Sequence, residues 1–246
     1  MLIMTTMHIH INTTHSHIQP YGLMIIMSFI VGAAGMYILN IRKGVQKNIA
    51  RYLLLLLPLM SLFCAVMLTY ITSSGKNYGL SSVGGLIGVY AAVITMGLMS
   101  PNKSDMPVMA ETATVMLPLM YSVSKIGCFL AGCCYGFEYN GALAVEYSGR
   151  YAHVHPAFPV QATETLAFLI IFLIGVMLYV KKMRYAVQMI FIASASAKCA
   201  LDFLRASHEG IILSLTQVFC IILAVIGIIW LILKMKTHKT KRAKTG

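Results

Sequence analysis

The chain has 246 residues, of which 59% are hydrophobic and 11% are charged, and its formal net charge is +12. A soluble domain carries about 25% charged residues, so this composition excludes an ordinary soluble protein and leaves no room for a large soluble domain. The cations lie at the ends of apolar segments, where they set membrane topology, and the charge therefore does not predict a nucleic-acid-binding protein. The sequence predicts an integral membrane protein.

Apolar runs long enough to cross a bilayer recur along the chain and predict an all-α, polytopic fold with about seven transmembrane helices. Such a helix needs about 20 predominantly apolar residues. The third run is rich in glycine, the fourth ends in a cysteine-rich motif, and the sixth contains Lys198 and Asp202. We expect these three helices to line the interior of the bundle. The runs cover residues 21–41, 52–73, 80–100, 110–133, 162–180, 185–205 and 212–233.

Basic residues follow the first, fifth and seventh runs, and the alternate loops contain few of them. Because Lys and Arg accumulate in cytoplasmic loops, we expect the N-terminus outside and the C-terminus in the cytoplasm. The predicted organisation is an outer N-terminal tail over 1–20, a transmembrane domain over 21–233 and a basic cytoplasmic tail over 234–246. The three basic groups are Arg42, Lys43, Lys47 and Arg51; Lys181, Lys182 and Arg184; and Lys234, Lys236, Lys239, Lys241, Arg242 and Lys244.

The fourth run ends in the segment KIGCFLAGCCYG, residues 125–136, which places a lysine among three cysteines. On a helix Lys125 and Cys128 share one face, and a nearby ammonium favours the reactive thiolate. Cys133 and Cys134 are adjacent, so we expect them to point in different directions, with Cys128 and Cys133 as the functional pair and Cys134 in packing. Three interpretations stay open: helix packing by small side chains, thiol chemistry, and a soft-metal site.

Three further features lie outside this segment. In the long loop that follows it, His153 and His155 would supply imidazoles to a metal, although the cysteine spacing matches no strong zinc motif. Glu164 lies at the start of the fifth run, where a carboxylate can cap a helix or orient a partner. In the third run, Gly84 and Gly85 permit close backbone approach to a ligand or to another helix.

A polar stripe runs along the sixth segment. Ser194, Lys198, Asp202 and Arg205 recur at steps of four, four and three, which places them on one helical face. One interpretation is an internal pair between Lys198 and Asp202 that only makes the buried charges tolerable. The other is an anion-binding wall for a phosphorylated head group, because intramembrane charges mark functional sites and both Arg and Lys bind phosphate.

Several motifs, in one order along the chain, resemble those of the bacterial prolipoprotein diacylglyceryl transferases. The resemblance extends over nearly the whole chain, from about residue 20 to residue 230. The matching segments are PYGLM at 20–24, GGLIG at 84–88, KIGCFLAGCCYG at 125–136, PVQATE at 159–164, KCALDFLR at 198–205 and TQ at 216–217.

The resemblance implies a seven-helix enzyme of the bacterial cytoplasmic membrane that moves a diacylglyceryl group from phosphatidylglycerol, an anionic phospholipid, to the lipobox cysteine of a prolipoprotein. Lys125 and Lys198 would hold the phosphate, Asp202 would orient Lys198, and Cys128 or Cys133 would act as nucleophile or acceptor. We expect no cofactor, metal ion or nucleic acid. The expected catalytic residues are Cys128, Cys133 and Asp202, and the expected lipid-binding residues are Tyr21, Gly84, Gly85, Lys125, Gly136, Gln161, Glu164, Lys198 and Arg205.

The chain departs from the family pattern at its reactive positions. Val83 stands where the family has a histidine, Cys128 and Cys133 replace an asparagine and a glutamate, and Lys125 and Lys198 replace arginines. The missing histidine favours a second class of function, a non-catalytic lipid-binding or scaffolding protein that keeps the fold. The clustered thiols leave a third class open, a membrane protein that handles thiols or metals.

A labelling scan tests the predicted orientation. In a background without native cysteines, Lys43→Cys and Lys182→Cys should not react with a membrane-impermeant thiol reagent added outside, because both loops are expected in the cytoplasm. The matched control, Lys76→Cys, lies in a predicted outer loop and should react. External labelling of position 43 or 182 would contradict the orientation.

Overall fold

The structure is a computed structural model that describes residues 9–12, 19–76, 79–148, 155–208 and 212–243. It confirms the all-α fold, with seven α-helices in the described part of the chain. The helices are α1 (Pro20–Arg42), α2 (Lys47–Thr72), α3 (Ser82–Met99), α4 (Asp105–Ala131), α5 (Val160–Val180), α6 (Ala186–Asp202) and α7 (Leu215–Ala243).

Six of these helices are long and apolar enough to cross a membrane, which makes the chain a multi-pass membrane protein. The exception, α6, has 17 residues and is therefore about 25 Å long at 1.5 Å per residue, somewhat shorter than a hydrocarbon core of about 30 Å. The predicted sixth run extends to residue 205, but the helix ends at Asp202. Lys198 and Asp202 therefore lie within the last turns of the helix, and Arg205 lies in the following loop.

The chain divides into two compact units, and each has its own packing. One unit is Phe29–Met120, and the other combines Met1–Ser28 with Tyr121–Gly246. In the first unit α3 lies directly against α2. A Cβ added at Gly84 or Gly88 would overlap the α2 backbone, which is how small residues allow close helix contact in membranes.

The other unit adds a two-stranded parallel sheet to its helices. Strand β1 (Ile9–Asn12) pairs with β2 (Val145–Ser148), and Ile9 lies opposite Val145. The strand β1 falls within the region that the sequence analysis treated as a tail. Because its partner lies more than a hundred residues later in the chain, no local pattern predicts the pairing.

The long loop between α4 and α5 folds onto itself. The rings of Phe137 and Phe158 stack with centroids 5.4 Å apart, and Tyr139 packs edge-on against Phe158 at 5.5 Å. His155 lies in this loop beside Glu138, with 3.5 Å between Nδ1 and Oε1, and it is not grouped with the thiols. His153 lies outside the described residues.

The last helix is longer than the sequence predicts. Its apolar part is followed by basic residues, and α7 continues through them to Ala243. Part of the basic tail predicted over 234–246 is therefore helical.

A glycine substitution tests the close packing of α3 on α2. Gly88→Ala should lower the melting temperature in detergent, because the new Cβ would overlap the backbone of Met60 and Ser61 and overpacking costs about 1–3 kcal/mol. Gly22→Ala is the control, since a Cβ there meets no atom within 4 Å. Equal shifts in the two variants would contradict this account.

Candidate active site

A single carboxylate forms the centre of a buried charge cluster. Glu164, in the first turns of α5, is fully buried. Its Oε2 lies 2.7 Å from Lys125 Nζ of α4, and its Oε1 lies 2.7 Å from Lys198 Nζ of α6. Both lysine side chains are themselves less than a tenth exposed. The two cations that the sequence analysis assigned to one phosphate site therefore do meet, but they meet on a carboxylate of the protein.

The loop after α6 brings a third cation to the same carboxylate. Arg205 Nη2 lies 3.4 Å from each carboxylate oxygen of Glu164. Asp202, at the end of α6, accepts from Lys198 Nζ at 3.3 Å and lies 3.5 Å from Arg205 Nε. Three of the four members of the predicted stripe, Lys198, Asp202 and Arg205, thus form a connected ion network. Three cations face two carboxylates, so the cluster of Lys125, Lys198, Arg205, Glu164 and Asp202 has a formal charge of +1.

The cluster is not closed on every side. The Arg205 side chain keeps 17% of its exposure, whereas that of Glu164 has none. Arg205 Nε makes no hydrogen bond to the described residues, although it lies within ion-pair distance of Asp202. A guanidinium has five N–H donors in a planar fork, and Nε, one of the donors that Arg205 keeps, is itself buried.

Tyr121 connects the cations through its ring and its hydroxyl. The hydroxyl donates to Glu164 Oε1 at 2.8 Å. Lys125 Nζ and Lys198 Nζ lie 5.1 and 5.6 Å from the ring centroid, within the range of a cation–π interaction. The sequence analysis did not select Tyr121. It lies one helical turn before Lys125, and that spacing places both residues on one face of α4.

The start of α7 holds Asp202 in place. Ser214 precedes α7, and its Oγ accepts from Gln217 N at 3.1 Å while Gln217 Oε1 accepts from Ser214 N at 2.8 Å. This reciprocal pair is a capping box. The same Ser214 hydroxyl donates to Asp202 Oδ2 at 2.6 Å. The helix N-terminus, which favours negative charge, is thereby linked to the ion cluster.

The end of α4 gathers the three cysteines. Gly132 has φ +73° and donates its N–H to Phe129 O at 3.4 Å, while Cys133 N donates to Cys128 O at 3.2 Å. These two bonds define a Schellman motif, which brings the residue after the glycine against the residue one turn before the helix end. Cys128 and Cys133 occupy those two positions, and they are therefore in contact.

The third thiol joins them, which corrects the expectation that Cys133 and Cys134 point in different directions. The backbone of Cys134 is left-handed, with φ +58°, so the chain reverses and its sulfur turns back toward the other two. The sulfur atoms of Cys128, Cys133 and Cys134 all lie within 4.8 Å of one another. Adjacent cysteines point apart in regular structure, but this turn is not regular.

The turn also sets the acidity of the two thiols that follow the helix. Hydrogen bonds from Cys128 and Cys133 lower the pKa of the Cys134 thiol, and the positive charges of Lys125 and Arg205 lower it further. Hydrogen bonds with Cys128 and Cys134 raise the pKa of Cys133 instead. A thiolate on Cys134 is thus stabilised by two thiol donors and nearby cations.

Buried polar side chains fix the turn from outside. Gln161, fully buried at the start of α5, donates from Nε2 to Cys133 O at 2.9 Å. Tyr147, from β2, donates its hydroxyl to Phe129 O at 3.0 Å, which adds a second hydrogen bond to the carbonyl that accepts from Gly132 N. Burial raises the pKa of Tyr147, so its hydroxyl keeps the proton that it donates.

The family model described as prolipoprotein diacylglyceryl transferase matches residues 8–233. The chain belongs to this family. A search of curated proteins gave no match.

The segments that resemble the family do not all lie at the ion cluster. Segments 125–136, 159–164 and 198–205 converge on the ion cluster and the thiols, and Gln217 of the last segment acts through the capping box. Gly84 and Gly85, predicted to bind lipid, pack on α2 in the other unit, where Ser61 Oγ donates to Gly85 O at 3.0 Å.

Two other predicted lipid-binding residues have clear packing roles. Gly136 forms an antiparallel bridge with Arg205, and a Cβ there would overlap the carbonyl oxygens of Phe158 and Leu204. Tyr21 lies in the first turn of α1, and Gly127 of α4 packs closely against it. Gly136 therefore helps to position the backbone of Arg205, because only a residue without a side chain fits between Phe158 and Leu204.

A charge-balance experiment tests the cluster. Glu164→Gln removes the acceptor that three cations share, and breaking a buried ion pair costs about 3–5 kcal/mol. Adding Lys198→Met to Glu164→Gln restores the formal charge to +1 and should recover part of this loss. The measurement is thermal unfolding in detergent.

The control for this experiment is Glu138→Gln. Glu138 is exposed and pairs with an exposed histidine, and surface pairs contribute about 0–1 kcal/mol. Equal destabilisation by Glu164→Gln and Glu138→Gln, or no recovery in the double variant, would refute the shared-carboxylate arrangement.

Proposed function

We propose that the protein binds phosphatidylglycerol at the ion cluster and transfers its diacylglyceryl group to the thiol of a prolipoprotein at the bacterial cytoplasmic membrane. The family supports a transferase of this kind acting in a lipid environment. The observation that carries the choice of an anionic lipid is the formal charge of +1 on a buried cluster whose Arg205 edge remains accessible. One phosphodiester would neutralise it.

The geometry supports specific roles for the cations. Arg205 offers a guanidinium fork, which matches phosphate oxygens in a bidentate way, and the lysines act as point charges. Glu164 and Asp202 hold these groups in position before the lipid enters, since each pairs with at least two of them. A preorganised set of donors stabilises charge that develops during reaction without a further cost of reorganisation.

The reaction follows from the chemistry of the lipid. The acceptor sulfur attacks the glyceryl carbon that bears the phosphate ester, a C–S bond forms, the C–O bond breaks, and glycerol phosphate leaves with the electron pair. The cations stabilise the negative charge that grows on the departing phosphate. The acceptor thiol must lose its proton, and Val83 stands where the family has a histidine.

The thiols Cys128 and Cys133 replace polar family residues beside this site. Their place next to Lys125 supports a role for these two thiols in the reaction. Asp202 pairs with Lys198 and would take part by orienting its ammonium group. A second candidate, lipid binding without transfer, is favoured by the missing histidine alone. The two candidates differ in whether a product forms.

Mass spectrometry decides between them. Purified protein, phosphatidylglycerol and a lipobox peptide should yield a peptide with the mass of one added diacylglyceryl group. Phosphatidylethanolamine, which has no net charge, is the lipid control, and a peptide with serine in place of cysteine is the acceptor control. Binding of phosphatidylglycerol without product would refute transfer and leave the lipid-binding function.

A binding experiment tests the cluster separately. Lys198→Ala should weaken phosphatidylglycerol binding by about 1.5–3 kcal/mol, the contribution of a hydrogen bond to a charged group, and Lys198→Arg should restore most of it. Lys181→Ala, at an exposed basic position after α5, is the matched control and should bind as the parent does. Unchanged binding in Lys198→Ala would refute the phosphate site.

A further inference from the structure

The three-thiol cluster has the composition and arrangement of a metal site. The sulfur atoms of Cys128, Cys133 and Cys134 lie within 4.8 Å of one another. Around a tetrahedral zinc ion with Zn–S bonds of about 2.3 Å, sulfur atoms lie about 3.8 Å apart. The sulfurs would therefore need to move by less than about 1 Å to share one ion.

We propose that Cys128, Cys133 and Cys134 bind one zinc ion, and that the fourth coordination position receives the acceptor thiol. In the described part of the chain, no histidine or carboxylate belongs to this group. Three protein ligands with an open fourth position are typical of catalytic zinc, whereas structural zinc has four. Binding of the acceptor thiol at the fourth position rests on the proposed function, whereas zinc binding by the three cysteines does not.

The turn after α4 prepares the site without an ion. The Schellman motif brings Cys128 and Cys133 together, and the left-handed Cys134 adds the third sulfur. Gln161 and Tyr147 hold the backbone of this turn by hydrogen bonds. Groups that fix the ligands from outside in this way strengthen metal binding.

The charge of the surroundings suits a zinc–thiolate group. Zinc with three thiolates has a formal charge of −1, and the neighbouring ion cluster has a formal charge of +1. Cations beside thiols favour the thiolate form that binds metal, and Lys125 precedes Cys128 by one turn on α4. The positive charge of the ion cluster would therefore stabilise the zinc–thiolate group as well as a phosphate.

The open position would supply what the missing family histidine does not. A thiol that coordinates zinc is deprotonated outright, so the acceptor thiol would release its proton to solvent when it binds. Its sulfur would then attack the glyceryl carbon, the C–S bond would form, the C–O bond to the phosphate would break, and glycerol phosphate would leave with the electron pair. Formation of the three protein thiolates also releases protons to solvent, and no oxidant or reductant is needed.

Metal analysis tests the site itself. Reduced protein, purified without chelators, should contain about one zinc per chain. Cys134→Ser should lower zinc affinity at least tenfold, because even the loss of a residue that only supports a metal ligand costs about 10–100-fold. Cys134 is exposed, so its replacement leaves the core intact. Cys199→Ser, outside the cluster, is the matched control and should keep the zinc.

Cobalt substitution tests the open position. The visible spectrum of a cobalt-loaded protein should change when a lipobox peptide is added and should not change with the serine peptide. Failure of the reduced protein to bind zinc, equal zinc affinity in Cys134→Ser, or binding of copper(I) with no binding of zinc would overturn the zinc site.

The outcomes separate this inference from the proposed function. A protein that binds zinc and the peptide thiol but forms no diacylglyceryl product would keep the site and refute transfer. A protein that still transfers at the parent rate after complete zinc removal would keep the function and refute activation by zinc.

Discussion

The shared carboxylate of Glu164 is the interaction on which the rest of the site depends. A cation in the apolar interior costs several kcal/mol unless it is paired, and here three cations pair with one fully buried group. Helices α4, α5 and α6 and the loop after α6 each contribute one member. The positions of these elements relative to one another, within their compact unit, are thus tied to a single side chain.

The cluster has a surplus of one positive charge, which supports the proposal that it binds an anionic ligand. A balanced network would need no ligand, and its charges would only make burial tolerable. Asp202, which the capping box at Ser214 and Gln217 holds in place, is already counted in this charge and does not neutralise it. The replacement of the family's arginines by Lys125 and Lys198 concentrates the remaining bidentate capacity in Arg205, at the accessible edge.

The thiols show how a change in local chemistry uses an existing backbone. The Schellman turn requires a glycine where the chain leaves α4, and Gly132 provides it with φ +73°. In this turn, the backbone hydrogen bond from Cys133 N to Cys128 O brings positions 128 and 133 together. Cysteines at those positions, followed by Cys134, convert a contact of the turn into a group of three metal-ligating atoms.

The sequence by itself determined the membrane class, the helices and most members of the site. Long apolar runs can be satisfied only as helices in lipid, and charges within them mark a polar interior. Even the contact of Cys128 with Cys133 has a local signal, the glycine after an apolar helical run. The segment motifs likewise named Lys125, Glu164, Lys198 and Arg205.

Only the tertiary structure decided which of these groups pair. Helical spacing linked Lys198 with Asp202, but the shorter contact of Lys198 is with Glu164, which lies 34 residues away and could not be found from spacing. The pairing of β1 with β2 was missed for the same reason, and the inward turn of Cys134 depends on a left-handed backbone that periodicity does not predict. Partner choice depends on distances between elements, and periodicity within one element carries no information about them.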